Sequence, residues 1–260
     1  ARMRNWNTLA KEITNWISDY ALENDIQALV VGVSGGVDSA VTSTLSARTG
    51  IRTIVLNMPI HQKKYQEDLS EKHISWLKDN FNNVEERIVN LSKTYDSFVE
   101  TVSVDEVSDL ALANSRARLR MTALYATAGS NGGIVVGTGN KVEDFGVGFY
   151  TKYGDGGVDI SPIADLLKTE VYQIARELDI IEEIIQAAPT DGLWGDGRSD
   201  EEQLGASYEE LEWAMKESKN PSNKDLSERE KEVLGIYQRL NKSNSHKMNP
   251  IPIFKLYPSD

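Results

Sequence analysis

The side chains best suited to chemistry lie in Ser34-Gly35-Gly36-Val37-Asp38-Ser39, between an apolar run at 28–33 and a helix-like run at 40–45. A strand that stops in a glycine turn and restarts as a helix directs backbone N–H groups and the helix dipole at one point, which favours phosphate. The Asp38 carboxylate can hold a cation that bridges phosphates. The simpler interpretation is an ordinary turn with a capping serine. Neither G-x-x-x-x-G-K-[ST] nor G-x-G-x-x-G is present.

A second group of polar residues follows a later apolar run, 133–137. Glu143 is a candidate second carboxylate for magnesium, which prefers a couple of carboxylates and completes its shell with substrate phosphates. Alone, such a glutamate is typical of a solvated helix surface. The segment 150–159 then combines lysine, tyrosine, aspartate and glycine, and Lys168 follows it. This composition indicates either a plain turn or a recognition loop for a polar ligand that carries a ring.

The hydrophobic pattern predicts the elements that position these residues. Apolar runs at 28–33, 53–59, 84–89 and 133–137 predict buried strands that alternate with helices. The alternation predicts an α/β fold, a doubly wound, mostly parallel sheet with helices on both faces, and a ligand beyond the carboxyl ends of the strands. Helices are predicted at 9–20, 38–48, 66–79, 105–128, 171–178, 207–217 and 226–241. The irregular segments 139–165 and 191–206 are candidate binding loops or lids.

The composition narrows the class of protein. A chain of 260 residues that is 40% hydrophobic suits one compact domain, or at most two small ones. The formal net charge of −12 argues against a general nucleic-acid-binding protein. The absence of cysteine excludes disulfides and a cysteine nucleophile, and it fits a reducing cytoplasm. No apolar stretch approaches the ~18–20 residues of a membrane span, so we expect no membrane contact.

The order of several motifs resembles a known family. The S-G-G-x-D-S turn after a first strand resembles the pyrophosphate loop of the ATP pyrophosphatase superfamily, whose fold is adenine nucleotide alpha hydrolase-like. Further motifs resemble those of the NAD synthetase family: G-T-x-N-K-x-E from Gly137, F-Y-T-K-Y-G-D-G-x-x-D-I-x-P from Phe149, A-P-T-D-G-L from Ala188, and His246-Lys247. The resemblance implies ATP-dependent amidation of deamido-NAD to NAD by ammonia, through an adenylylated nicotinate carboxylate, with release of AMP and pyrophosphate.

The resemblance also implies the roles of individual residues. ATP contacts fall on Gly32, Val33, Ser34, Gly35, Gly36, Val37, Asp38, Ser39, Thr138, Lys168 and Thr190, and deamido-NAD contacts on Arg118, Lys152, Asp159, His246 and Lys247. Magnesium (Mg²⁺) is placed on Asp38 and Glu143. Asp155, in Tyr-Gly-Asp-Gly, is the candidate base that takes a proton from ammonium. Without the family, the arginines of 116–120 would be a solvated helix surface and His246 a surface histidine.

The nitrogen source and the assembly follow from the same resemblance. Glutamine-using relatives carry an extra amidase domain with a cysteine nucleophile, so we expect a single NAD synthetase domain over 1–260 that uses free ammonia. A homodimer is implied, with the helix at 105–128 in the contact. Asp191-Gly192-Leu193 departs from the Ala-Asp-Leu of many relatives and affects the lid. The alternatives are another adenylylating ATP pyrophosphatase, GMP-synthetase-like or tRNA-modifying, or a nucleotide-binding module without catalysis.

Overall fold

Four parallel strands form the sheet in the computed structural model, which describes residues 4–102 and 107–257. Their order across the sheet is β3-β2-β1-β4, and each neighbouring pair runs parallel. The strands are β1 (Ala28–Gly32), β2 (Arg52–Asn57), β3 (Val84–Ile88) and β4 (Gly133–Val135). The parallel sheet and its four strands are therefore as predicted. Because β1 lies between β2 and β4, the glycine turn that follows it opens near the middle of the sheet edge.

Helices connect and cover the strands. They are α1 (Trp6–Glu23), α2 (Val37–Arg48), α3 (Lys64–Asn80), α4 (Ser92–Val102), α5 (Asp109–Ser130), α6 (Lys168–Glu177), α7 (Glu182–Gln186), α8 (Asp200–Leu204), α9 (Tyr208–Lys219) and α10 (Glu228–Met248). Within the described residues, no helix combines the length and the apolar character needed to cross a membrane.

The central strand β1 is apolar on both sides because both faces of the sheet are covered. Leu29 and Val31 belong to an apolar cluster that includes residues of α1, α2 and α6. Ala28 and Val30 point to the opposite face, where they pack with residues of α4 and α5. The prediction of helices on both faces of the sheet is therefore confirmed.

A further apolar cluster joins α9 and α10 to a π-helical turn at Val142–Val147. This turn lies in the segment 139–165, which the sequence predicts to be irregular throughout. α10 continues to Met248, past its predicted end. Its last turn therefore carries His246 and Lys247 beside the segment that follows the π-helical turn.

Other boundaries also differ from the sequence prediction. α4 is not predicted at all, although Tyr95 is buried there and Val99 packs beside it against the apolar cluster of this face. The helix predicted over 105–128 begins at Asp109, where the Ser108 hydroxyl caps it, and continues to Ser130. Positions 105 and 106 lie outside the described residues. The predicted loop 191–206 contains the short helix α8.

Candidate active site

The glycine turn links β1 to α2 as predicted. Gly35 has a φ of +85°, and a Cβ there would lie 2.9 Å from the carbonyl oxygen of Gln66, so another residue would be strained. The Ser39 hydroxyl oxygen accepts a hydrogen bond from the backbone N–H of Ser34 at 3.1 Å, which closes the turn. α2 begins at Val37 with no side-chain cap, so the N–H groups of its first turn are suited to an anion.

Charged and polar side chains from five elements meet beside this turn. Lys168, the first residue of α6, donates from Nζ to Asp38 Oδ2 of α2 and lies 3.8 Å from Glu143 Oε1 of the π-helical turn. Tyr208 of α9 donates from its hydroxyl to Glu143 Oε1 at 2.7 Å, and the same hydroxyl lies 3.0 Å from Asp200 Oδ2 of α8. The structure thus brings together the predicted Asp38, Glu143 and Lys168, and it adds Tyr208 and Asp200.

Burial and crowding shift the pKa values in this cluster. Burial, followed by the charge of Asp38, raises the pKa of Glu143 to about 8, and burial raises the pKa of Asp200 to about 6. Burial acts to lower the pKa of Lys168, but the combined attraction of Asp38 and Glu143 raises it above its ordinary value. Three carboxyl groups therefore surround one ammonium group, which leaves an excess of acidic groups.

This excess of acidic groups suits a divalent cation. Asp200 Oδ1 is buried and has no hydrogen-bond partner in the part of the chain that the structure describes. Across residues 4–102 and 107–257, no three His, Cys, Asp or Glu side chains are arranged to hold a metal ion by themselves. Magnesium needs only one or two carboxylates when substrate phosphate and water complete its shell. Asp38 and Glu143, beside the glycine turn, fit such an ion.

Two more carboxyl groups face the same region from the recognition loop, 150–159, and from the π-helical turn. Asp155 Oδ1 accepts a hydrogen bond from the backbone N–H of Thr151 at 2.7 Å. Its side chain remains accessible to solvent, yet the surrounding protein raises its pKa to about 6 by desolvation. The Asp144 carboxylate packs against Gly139, where it occupies the space that a Cβ would need. Burial, followed by the charge of Asp155, raises the pKa of Asp144 to about 7. Asp155 can therefore exchange a proton near neutral pH.

The residues assigned by resemblance to deamido-NAD lie around the recognition loop and the end of α10. Arg118 Nε donates to the carbonyl oxygen of Lys152 at 3.1 Å, and Lys152 Nζ lies 3.3 Å from His246 Nδ1. Lys247 Nζ donates to two backbone carbonyl oxygens, at 2.9 and 2.7 Å. Asp159 accepts hydrogen bonds from a tyrosine hydroxyl at 2.9 Å and from a backbone N–H at 2.8 Å.

A cavity of about 450 Å³ connects most of the predicted site. Its lining includes every predicted ATP residue and also Glu143, Asp155 and Lys247. Four predicted deamido-NAD residues lie outside the lining and are exposed or half-buried: Arg118, Lys152, Asp159 and His246. The predicted ATP site is therefore one compartment, whereas the predicted dinucleotide site is divided between the cavity and the surface.

One wall of the cavity is the irregular segment 187–199, between α7 and α8. Thr190 Oγ1 donates to a backbone carbonyl oxygen at 3.0 Å and accepts from the backbone N–H of Gly192 at 3.2 Å. A Cβ on Gly192 would lie 2.6 Å from the Gln62 side chain, so this segment packs against the residues that precede α3. The segment is placed to act as a lid.

Arg116 and Arg120 differ from the solvated surface that their helix pattern favours. Arg120 lines the cavity, and its Nε donates to the carbonyl oxygen of Met58 at 2.9 Å. The Arg116 guanidinium lies 4.6 Å from the centre of the buried Tyr95 ring. The signal for an inward face is the spacing of these arginines with the buried Ala117.

Asp200 and Tyr208 are site residues that the sequence pattern does not reveal. Each occupies the first position of a helix whose preceding serine, Ser199 or Ser207, forms a capping box. The pattern therefore explains both segments as helix starts. The tertiary fold alone brings these two side chains to Glu143.

Together, these features define the class of protein as an adenine nucleotide alpha hydrolase-like enzyme, with a glycine turn after the central strand of a parallel sheet. The family model for NAD synthase matches residues 9–251. An NH3-dependent NAD+ synthetase of Carboxydothermus hydrogenoformans is 34% identical over 247 residues, which cover 94% of this chain and 95% of that protein. The chain belongs to the NAD synthase family, as its motifs predict.

Solved structures agree with this fold. An NMN synthetase from Francisella tularensis superposes with a TM-score of 0.86 and 28% sequence identity, over 98% of this chain and 100% of that one. An NH3-dependent NAD synthetase from Campylobacter jejuni superposes with a TM-score of 0.79 and 23% identity, over 97% and 100%. The family and its relatives support ammonia-dependent NAD synthesis, a ligase reaction with ATP as co-substrate.

Proposed function

We propose that this protein converts deamido-NAD to NAD with ATP and ammonia, in a single domain over 1–260 and in the cytoplasm, where ATP is available. The observation that carries the proposal is the cavity, because the glycine turn, Lys168, Glu143 and Asp155 all line it. One compartment therefore contains a phosphate site, a cation and a carboxyl group that can accept a proton. This set suits the activation of an acid by ATP and its subsequent attack by ammonia.

The ATP phosphates are placed on the glycine turn. Residues 32–39 offer the N–H groups at the start of α2, and Thr138, Lys168 and Thr190 line the same cavity. Asp38 and Glu143 would hold magnesium, which, when bound, offsets the charge of the phosphates. Lys168 adds a permanent positive charge, since its pKa is raised.

The first chemical step joins the nicotinate carboxylate to AMP. A carboxylate oxygen attacks the α-phosphorus of ATP, the bond from that phosphorus to the bridging oxygen breaks, and pyrophosphate leaves with the bonding electrons. Lys168 and the N–H groups at the start of α2 stabilise the charge on the leaving group, because they are held in place before the reaction. The lid segment, 187–199, excludes the water that would hydrolyse the acyl adenylate.

Asp155 is the proposed base for the second step. Ammonium predominates near neutral pH and has no free electron pair, so it must lose a proton before it can attack. Asp155, whose pKa is raised to about 6 by desolvation from the surrounding protein, accepts that proton. The ammonia nitrogen then attacks the carbonyl carbon, and AMP leaves with the electrons of the broken bond. The nitrogen releases one further proton to the departing phosphate or to water, and the amide remains.

The variant Asp155→Asn tests this role. It should retain ATP–pyrophosphate exchange in the presence of deamido-NAD, while amide formation slows by roughly 10²-fold or more. Asp19→Asn, which changes an exposed aspartate of α1, is the matched control. Equal losses in exchange and amide formation would show that Asp155 is not specific to the second step.

The dinucleotide is placed partly outside the cavity. Lys247 lines the cavity, whereas Arg118 and His246 lie on the surface beside it. We propose that a second subunit covers this surface and that α5 contributes to the contact, since Leu110 is 59% exposed there. Sedimentation should give twice the chain mass of 29.0 kDa. A monomer at micromolar concentration would contradict the homodimer.

A second candidate acceptor is nicotinate mononucleotide. The Francisella structure is described as an NMN synthetase, and its TM-score of 0.86 exceeds the 0.79 of the Campylobacter NAD synthetase. Both acceptors carry the same nicotinate carboxylate, so the chemistry of the cavity would be unchanged. The surface residues Arg118, Lys152, Asp159 and His246 would then contribute little to catalytic efficiency.

A steady-state assay decides between these acceptors. The protein is supplied with ATP, magnesium and ammonium chloride, and each acceptor is tested separately. A higher kcat/KM with deamido-NAD supports the first proposal, and a higher value with nicotinate mononucleotide supports the second. Pyrophosphate release only with XMP or tRNA would contradict both, and ATP binding without any pyrophosphate release would indicate a non-catalytic module. Glutamine should not replace ammonium.

A further inference from the structure

Two guanidinium groups lie together on the inner side of α5. Arg116 and Arg120 are four residues apart, so they share one face of the helix. Arg120 donates from Nε to the carbonyl oxygen of Met58 at 2.9 Å and from Nη2 to Gln62 Oε1 at 2.8 Å. Both partners are neutral, so these hydrogen bonds orient the guanidinium without balancing its charge.

Arg116 lies one helical turn before Arg120 and is also without a carboxylate partner. Its guanidinium carbon is 4.6 Å from the centre of the Tyr95 ring, and its Nε is buried with no hydrogen-bond partner among the described residues. No ion pair within 4–102 and 107–257 includes either arginine. This is unexpected in a chain with a net charge of −12.

The charge on Arg120 is retained despite these surroundings. Burial, followed by the charge of Arg116, lowers the pKa of Arg120 to about 10, so it stays protonated at neutral pH. The negative charges of Asp155 and Asp191 act to raise the pKa of Arg120, but neither carboxylate forms an ion pair with Arg120. A half-buried cation without a paired carboxylate is costly, and an anion that enters the cavity would offset that cost.

We propose that Arg120, oriented by the Met58 carbonyl and the Gln62 side chain and supported by the positive charge of Arg116, is a second phosphate-binding site in the cavity, in addition to the glycine turn. Arg120 lines the cavity, and its planar fork of N–H groups matches two oxygens of a phosphate group. The phosphate comes either from ATP and its pyrophosphate product or from the nicotinate nucleotide. This choice of ligands rests on the proposed function, whereas the site itself rests on the geometry.

Isothermal titration calorimetry tests the site. ATP, inorganic pyrophosphate, deamido-NAD and nicotinate mononucleotide are each titrated separately into the wild type, Arg120→Gln and Arg116→Gln. Arg176→Gln removes the same charge from the exposed surface of α6 and is the matched control. The four ligands form two pairs, ATP with pyrophosphate and deamido-NAD with nicotinate mononucleotide. In Arg120→Gln, the Kd should rise about tenfold to a hundredfold for both members of one pair. In Arg116→Gln, it should rise by less for the same pair. The control should match the wild type.

The affected pair identifies the source of the phosphate. A change for ATP and pyrophosphate assigns Arg120 to the triphosphate, and a change for the two nicotinate nucleotides assigns it to the acceptor. Arg120→Lys keeps the charge but not the fork, so it should recover part of the lost affinity.

Two results would overturn the inference. One is an unchanged Kd for all four ligands in Arg120→Gln. The other is an equal weakening for all four that accompanies a lower melting temperature and persists in Arg120→Lys, because that pattern indicates a structural role. If Arg120→Gln does not fold, the Kd values of Arg116→Gln decide the question. This variant should fold, since the Nε of Arg116 makes no hydrogen bond within the described chain. Failure of the proposed function would instead appear as wild-type protein that binds phosphate but forms no amide.

Discussion

Replacing Glu143 by glutamine is expected to make the protein more stable and less active. Burial, followed by the charge of Asp38, raises the pKa of Glu143 from 4.5 to about 8. The carboxyl group therefore keeps its proton in the folded protein at pH 7, although it ionises in the unfolded chain. A group whose pKa is raised by folding contributes stability below its unfolded pKa, and that stability is lost as the pH rises towards its folded pKa.

The magnitude follows from the two pKa values. At pH 7, ionisation of this glutamate stabilises the unfolded chain relative to the folded protein. The pH lies 2.5 units above the unfolded pKa (7 − 4.5), and at ~1.36 kcal/mol per unit this amounts to about 3 kcal/mol. Glutamine does not ionise, and its amide oxygen can still accept the Tyr208 hydroxyl, which lies 2.7 Å from Glu143. Glu143→Gln should therefore raise the free energy of unfolding by up to about 3 kcal/mol. Amidation should fall because a proposed magnesium carboxylate is lost.

Urea unfolding in EDTA measures this effect, with Glu177→Gln on the exposed surface of α6 as the control. From pH 8 to 6.5, the wild type should gain stability relative to Glu143→Gln, with a slope that rises towards about 1.4 kcal/mol per pH unit as Glu143 becomes fully protonated in the folded protein. Below this range both proteins lose stability, because burial lowers the pKa of His73 to about 3 and the unfolded chain takes up its proton; this loss cancels in the comparison. A variant no more stable than the wild type at pH 7 would refute the reasoning.

Three further changes test other parts of the structure. Gly35→Ala should lower the free energy of unfolding by about 1–3 kcal/mol, since φ is +85° and the new Cβ would lie 2.9 Å from the carbonyl oxygen of Gln66. Calorimetry should also show weaker ATP binding, and unchanged affinity would count against phosphate binding at the glycine turn. Tyr208→Phe should cost about 1.5–3 kcal/mol in urea unfolding, more at pH 8 than at pH 6 because the hydroxyl stabilises ionised Glu143; equal costs would contradict this. His73→Gln should flatten the loss of melting temperature below pH 6.5, and an unchanged slope would exclude His73 as its cause.

The sheet and the glycine turn could be predicted because they depend on neighbouring residues. The apolar run at 28–33 indicates a strand covered on both faces, and Gly35 and Gly36 follow it directly. The carboxyl ends of parallel strands share one edge, so the sequence also predicts that the segment after β4 lies near this turn. The structure places Glu143 and Asp38 against the same lysine, Lys168.

The remaining parts of the site depend on tertiary contacts. Tyr208 follows a capping serine and begins an amphipathic helix, so its pattern is fully explained without a role in the cavity. Arg120 lies in a run of alternating arginines whose charge favours a solvated surface, and the packing of α5 against the sheet places it on the inward side. The π-helical turn also has no periodic apolar signal, since it is stabilised by α9 and α10 from the far end of the chain.

The end of α10 and the recognition loop hold each other in place. The Tyr150 hydroxyl donates to the carbonyl oxygen of Lys247 at 2.6 Å, and Lys247 Nζ donates back to the carbonyl oxygen of Tyr150 at 2.7 Å. Helix ends loosen before the rest of a fold when the temperature rises. A wall of the catalytic chamber would loosen with this last turn, so turnover should decline on warming before the sheet melts.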